Sequence, residues 1–447
     1  MIQRTALENL RKWKCSADRK PLVLRGARQV GKTTLVKEFA KDYDVFVHLN
    51  LEHKQDRVLF EMTDDVQEFV RNLYVRENIR KDQENILLFI DEIQNSKPAV
   101  AMLRYFYEEM NHIHVIAAGS LLETVMDLRD ISFPVGRVQY MALRPCSFME
   151  FLDGVGESSL ASYVSELAVL PVIHDKLMRR FRDYTLIGGM PAAIMQYAKN
   201  QDPVSVADTF ETLLQTYRDD VEKYAKTATL VKTIRGILTA GWKEAAASIA
   251  FEKFAGTPYH SREMSDAFQT ISKAMLLELV YPTSGAQIPI LQNFRKHPKL
   301  LWLDTGLVNY AAGIQKDVFL LPDIQDVWRG RIAEHIVGQE ILAFDARVSA
   351  TRAYWRRDKD NSSAEMDFVF PFNGLLIPIE VKSGHNAKLK SLHLFMDEAP
   401  HDIAVRVWSQ PYSVDEVSTP KGKRIKLINI PFYYVGQLNK ILERVIS

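Results

Sequence analysis

Gly26-Ala27-Arg28-Gln29-Val30-Gly31-Lys32-Thr33 decides the fold. An apolar run, Pro21 to Arg25, ends at its first glycine, and a helix pattern with Leu35, Val36, Phe39 and Ala40 begins at Thr34. Strand, G-x-x-x-x-G-K-[ST], helix is the arrangement of a phosphate-binding loop. Gly26 and Gly31 let the backbone curl until its N–H groups face an anion, and the helix N-terminus adds positive potential. Ala27, Arg28, Gln29, Val30 and Thr34 complete the cradle. Lys32 is placed for the β- and γ-phosphates, and the Thr33 hydroxyl for Mg²⁺.

The other half of such a site is expected where Leu87-Leu88-Phe89-Ile90 delivers Asp91-Glu92 at the C-terminal end of a buried strand. Asp91 would anchor Mg²⁺, directly or through water, and Glu92 would orient and polarise the attacking water. His114 to Ala118 reads as a further strand ending in Gly119-Ser120. Ser120 has two readings, a sensor of the γ-phosphate or a cap of the next helix. Arg137, after the turn at Pro134, is the preferred arginine finger, a role that contributes roughly 10³ to 10⁵ in rate. Its rival reading is a solvated loop arginine. No Asn-Lys-x-Asp run is present, which favours ATP over GTP.

Composition frames these motifs. The 447 residues suggest about three domains at roughly 150 residues each. Hydrophobic residues at 47% and charged residues at 25% describe a soluble globular chain, not a disordered one. Lys and Arg total 57 against 56 Asp and Glu, so a globally basic nucleic-acid coat is excluded while local patches are not. Two cysteines, Cys15 and Cys146, make neither a disulfide framework nor a zinc site by themselves. Apolar runs such as Ile86 to Ile90 are too short to cross a bilayer, and no signal-like segment opens the chain. A cytoplasmic protein with no membrane partner is expected. Strand-like runs alternating with helices over the first 120 residues predict an α/β fold with a parallel sheet.

Near the C-terminus four charged residues draw together. Glu380 and Lys382, two apart on a predicted strand, share one face, while Ile377, Ile379 and Val381 face a core. A hairpin at Asn373-Gly374 would bring Asp367 alongside, and Glu334 lies on the preceding helix. Glu334, Asp367 and Glu380 converging on one point would suit Mg²⁺, with Lys382 activating water or stabilising phosphate charge. The bland reading is a set of solvated strand ends.

Two resemblances follow from these residues. Gly26 to Leu35, Asp91-Glu92-Ile93-Gln94, Gly119-Ser120, Gly136-Arg137 and Leu143 to Phe148 resemble the bacterial and archaeal AAA-superfamily ATPases fused to a C-terminal domain of unknown function. Gly188-Gly189-Met190-Pro191, Tyr217 to Val221 and Leu303-Asp304-Thr305-Gly306-Leu307 extend the likeness over nearly the whole chain. It implies a P-loop ATPase core (1–160), a helical lid (161–227), a winged-helix-like segment (228–325) and an endonuclease-like domain (326–447). The C-terminal set resembles the PD-(D/E)xK nucleases: helix Glu, strand Asp, then Glu-x-Lys. Met366 departs from the expected proline, and Pro378 sits awkwardly in the Glu-x-Lys strand. Such a domain either cleaves DNA with Mg²⁺ or only binds.

Basic residues mark possible DNA contacts. The loop Asn293 to Lys299 sits where a wing would be, and Arg352, Arg356, Arg357 and Lys359 precede the nuclease-like strands. Ser261 reads as a helix N-cap, with Arg262, Gln269 and Lys273 available to a groove. A docking surface for protein is the rival reading, and a homo-oligomer completed by Arg137 is a third.

Overall fold

Five apolar segments before Phe148 become the strands of one parallel sheet. They are β1 (Leu22–Arg25), β2 (Val45–Asn50), β3 (Ile86–Asp91), β4 (Ile113–Ala118) and β5 (Gln139–Ala142), in spatial order β2-β3-β4-β1-β5. This computed structural model describes residues 2–119, 132–168, 170–221, 225, 227–313, 327–358, 364–382 and 389–446. Because side chains alternate along a strand, Leu22, Leu24, Leu87, Phe89 and Ile116 enter one core with the helices Ala6–Lys14 and Lys32–Phe39. Val23, Leu49, Leu88, Ile90 and Val115 enter the other, under the helices Lys54–Glu61, Val66–Arg76 and Lys97–Glu108. Insertion of β4 between β1 and β3 spreads the phosphate loop and the Asp91-Glu92 pair across a crevice at the strands' C-terminal ends, where such sheets bind ligands.

Three helices follow, Pro171–Ile187, Pro191–Asn200 and Ala207–Asp219. Proline opens the first two, where its missing N–H costs nothing. Gly188 ends the first at φ 71°, a left-handed backbone that glycine tolerates. The middle segment contains the helices Ala228–Ala240 and Ser261–Lys273. An antiparallel pair, β6 (Leu277–Val280) with β8 (Lys299–Trp302), completes it. His260, not Ser261, is the N-cap of the second helix: its side chain and that of Glu263 form a reciprocal capping box, while Ser261 bonds Glu252.

A short strand, β7 (Pro282–Thr283), leaves this segment and pairs in parallel with β9 (Ala353–Arg356). It thereby joins the C-terminal sheet, ordered β13-β14-β12-β11-β10-β9-β7. The remaining strands are β10 (Glu365–Phe372), β11 (Leu375–Val381), β12 (Ile403–Trp408), β13 (Ser413–Ser418) and β14 (Arg424–Pro431). Asn373 and Gly374 turn the β10–β11 hairpin with φ of 44° and 81°, as the Asn-Gly dipeptide predicts. Pro378 is accommodated because the ladder to β12 begins one residue later, at Ile379 opposite Val405. The helices Val327–Ala343, Lys390–Glu398 and Leu438–Ile446 accompany the sheet. No helix among the described residues is long and apolar enough to cross a membrane.

Candidate functional site: a phosphate loop and a carboxylate face

Gly31 caps the Lys32–Phe39 helix at φ 97°. At Gly26 any Cβ would run into the Leu143 carbonyl, so both glycines are required by geometry. Lys32, 7% exposed, donates to the Gly26 and Ala27 carbonyls at 2.8 and 3.0 Å. Burial lowers its pKa to about 8, against the pull of Glu92 and Asp91. The Thr33 hydroxyl donates to Asp91 Oδ2 at 2.9 Å. A hydroxyl and a carboxylate so juxtaposed at the C-terminal end of β3 are the donor set Mg²⁺ takes beside phosphates.

Glu92 follows at φ 53°, so the chain turns sharply as it leaves the strand. Its carboxylate accepts from Gln94 Nε2 at 2.5 Å, and burial raises its pKa. That is the shift a general base needs. Gln29 and Thr34 are exposed, and Ala27 and Val30 are buried under the loop.

Two outside elements grip this loop. Arg4 donates to the Val30 and Arg144 carbonyls at 2.9 and 2.6 Å while pairing with Glu150 at 3.0 Å. Arg28 pairs with Asp220 at the end of the Ala207–Asp219 helix, and the Tyr217 hydroxyl donates to the Arg28 carbonyl at 3.1 Å. Arg4 and Asp220 carried no motif signal toward the loop, because their approach is made only by folding. Ser120 lies outside the described residues. Arg137 pairs with Glu108 at 2.6 Å beside Tyr107. It precedes Gln139, which lies opposite Leu22 at the start of β1, so it occupies the end of the sheet away from its own phosphate loop.

The second site forms on the β10–β11 hairpin. Phe368 lies opposite Ile379 at the end of the β10–β11 ladder, and β10 carries a bulge between Met366 and Val369 against β9, so Asp367 is placed by its contacts and not by simple alternation. Asp367 Oδ2 accepts from the Val381 N–H at 2.7 Å, and Lys382 pairs with Glu380. Glu380 is 4% exposed, and its Oε2 has no hydrogen-bond partner among the described residues. Burial and the nearby Asp367 raise its pKa to about 7.

A lysine sits among the carboxylates expected to hold Mg²⁺. Lys299, from β8, inserts its ammonium between Glu334 (3.2 Å), Glu365 (2.8 Å) and Asp367 (3.9 Å), with the Tyr354 ring 4.9 Å away. Burial disfavours this charge, but Glu334, Asp367 and Glu365 outweigh it and raise its pKa. Glu334 is therefore engaged, and among the described residues no group of three or more His, Cys, Asp or Glu is arranged to hold a metal ion. Asp367 and Glu380 remain. Two carboxylates suffice for Mg²⁺, which keeps most of its waters, and the orphaned Glu380 oxygen fits such an ion.

The basic residues divide. Arg352 is 8% exposed and paired to Glu278 at 2.7 Å, so it and Lys299 belong to the interior, not to a DNA-facing surface. Arg295 and Lys296 are exposed, the latter paired with Asp358, while Arg357 pairs with Glu398. Arg356 is part-exposed, Arg262 is exposed, and Gln269 and Lys273 lie on the outer side of their helix. Lys359 lies outside the described residues.

Between the two sites runs a buried polar chain that joins two of the quoted motifs, at Gly189 and at Asp304-Thr305, to Gln339, a link the sequence did not reveal. Asp304 accepts from the Gly189 N–H at 2.5 Å and lies 3.4 Å from Gln339 Nε2, and Gln339 accepts from Thr305 at 2.9 Å. On the same helix, Glu340 Oε1 accepts from the Phe148 N–H at 2.9 Å and lies 2.7 Å from the Tyr184 hydroxyl. The Val327–Ala343 helix thus carries Glu334 to the carboxylate face and Glu340 to the ATPase-side core.

Residues 18–152 match a family described as AAA domain. Residues 178–318 and 329–433 match two domains of unknown function, DUF8612 and DUF4143. No curated protein matches the chain. Among solved structures, the Walker-type ATPase PABY2304 of Pyrococcus abyssi aligns at 13% identity and a TM-score of 0.41, over 70% of this chain and 96% of its own. The Aeropyrum pernix ORC1 protein in complex with DNA aligns at 13% and 0.25, over 71% and 92%. PCH-2 of C. elegans aligns at 14% and 0.27, over 44% and 61%.

Proposed function

We propose that this chain, whose N-terminal part is an AAA-type P-loop ATPase domain, binds ATP with Mg²⁺, hydrolyses it, and uses its nucleotide state to control the carboxylate-bearing C-terminal domain. The observation that carries the reading is the Thr33–Asp91 contact beside Lys32 and Glu92. Backbone N–H groups from Gly26 to Thr34 would hold the phosphates, and Lys32 would leave the loop carbonyls to meet their charge. Mg²⁺, when bound, supplies charge neutralisation at the phosphates, with Thr33 and Asp91 to hold it. Glu92 orients the attacking water and takes its proton. Lys32→Ala should abolish ATP binding in an equilibrium titration. Retained binding and turnover would sink the proposal.

For the C-terminal domain, the hairpin face with Asp367, Glu380 and Lys382 supports a Mg²⁺-dependent DNA-processing activity, with the winged-helix-like segment presenting the nucleic acid. Metal-dependent cleavage lost in Glu380→Ala and Lys382→Ala, with ATP binding intact, is the expected result. A second reading, a non-cleaving ATP-dependent switch that binds protein or nucleic acid, is favoured by the burial of Lys299 in the same face. Under it Glu380→Ala leaves partner binding unchanged while Lys32→Ala abolishes it. The remoteness of Arg137 from its own loop favours action on a neighbouring copy, which mixed oligomers carrying Arg137→Ala would reveal as lost hydrolysis.

A further inference from the structure

The carboxylate face already contains a cation, and that cation is covalently part of the chain. Lys299 is 4% exposed, so solvent and substrate do not reach its ammonium. It comes from β8, which pairs with β6 and stands outside the sheet whose carboxylates it meets. Its contacts fall on one side of the face, at Glu334, Glu365 and Asp367. The other side is different in kind. There Glu380 has one oxygen paired to Lys382 and the other, Oε2, buried without a hydrogen-bond partner among the described residues.

Charge counting separates the two sides. Glu334, Glu365, Asp367 and Glu380 supply four formal negative charges, and Lys299 and Lys382 supply two positive ones. The buried Glu380 oxygen left without a partner among the described residues marks where a further cation would go. Two-metal phosphoryl-transfer sites set a pair of ions about 3.5–4 Å apart between shared carboxylates. Here a lysine ammonium already stands among three of the carboxylates.

We propose that Lys299 is a built-in counter-ion that takes the second cation position, so the C-terminal site accepts a single divalent ion, held by Asp367 and Glu380. Glu334 belongs to the lysine and not to the ion. This rests on the reading of the face as a divalent-cation site. Lys299 is a positioning residue: it holds Glu334 and Glu365 and fixes Asp367, whose other oxygen is tied to the Val381 N–H. It also makes the site composite, since the middle segment provides a charge without which the C-terminal face is under-neutralised.

The test is a Mn²⁺ titration of the full chain without nucleotide, read by calorimetry and by the electron paramagnetic resonance of free Mn²⁺. Wild type should bind one ion. Glu380→Gln should lose it, Glu334→Gln should keep it within about threefold in affinity, and Lys299→Met should bind two. A wild type that binds no Mn²⁺ overturns the cation-site reading itself. A wild type that binds one ion, with Lys299→Met also binding one at equal affinity, leaves that reading standing and overturns the role of Lys299. Should Lys299→Met not fold, the Glu334→Gln arm decides alone: loss of the ion there, as complete as in Glu380→Gln, overturns the proposal.

Discussion

One guanidinium nitrogen of Arg28, Nη1, meets both carboxylate oxygens of Asp220, at 2.8 and 2.6 Å, and so ties the phosphate loop to the last turn of the Ala207–Asp219 helix. Asp220 is buried while Arg28 keeps a 35% exposed side chain. A phosphate group entering the loop competes with Asp220 for Arg28. Asp220→Asn keeps the shape and removes the competitor. ATP affinity should then rise by roughly threefold, a modest gain because an exposed guanidinium is screened. Direct titration of ATP against both proteins checks this, and equal or weaker binding by the variant would refute it.

Glu92→Gln should leave ATP binding within about twofold and slow hydrolysis by roughly 10² to 10⁴, the usual contribution of a positioned base. Single-turnover measurements separate the two effects. If binding and chemistry fall together, Glu92 holds the nucleotide and does not act on water.

Stability should carry a pH signature from the interior. Burial raises the Glu340 carboxyl to about 7 from an ordinary 4.5, and the Asp304 carboxyl to about 6 from 3.8. The folded protein therefore holds protons that the unfolded chain has released. Their contribution is fully present below about pH 4 and is lost as pH rises to 7, by up to about 1.4 kcal/mol per unit for each group. Glu340→Gln removes one titration and keeps an acceptor for the Phe148 N–H. Its melting temperature relative to wild type should be higher at pH 8 than at pH 5. A difference independent of pH would contradict the assignment.

Gly306 packs where no side chain fits. A Cβ there would strike the Ile187 carbonyl and come within 2.8 Å of Phe210 Cζ. Gly306→Ala should destabilise the protein by about 2 kcal/mol through overpacking. Chemical denaturation should show a lower midpoint, and an unchanged midpoint would mean that the Thr305–Ala311 helix draws away from the Pro171–Ile187 helix without cost.

What could be read from the residues alone divides by the distance over which each decision is made. The phosphate loop, Asp91-Glu92, the Asn373-Gly374 turn and most strands depend on neighbours in sequence, and the residues announce them. Strands β5, β7, β13 and β14 went unannounced. Burial along β13 is nowhere complete, so its apolar alternation is weak. Lys299 reads as the end of a basic loop, and only the packing of β8 against Glu334 and Glu365 turns it inward. Arg352 is misleading for the same reason, since Glu278 lies on a different strand. The place of Lys299 among the expected carboxylates was not legible because a rule about spacing within one segment says nothing of a side chain donated by a distant one.

The pairing of Pro282–Thr283 with Tyr354–Trp355 has a practical consequence. A fragment cut at residue 326 would lose that strand together with Lys299. It would expose the open edge of β9 and leave its acidic pocket without its internal counter-ion. Bare strand edges recruit one another, so such a fragment should clump or adopt a new partner. Failure of the isolated piece would then say little about the chemistry of the intact chain.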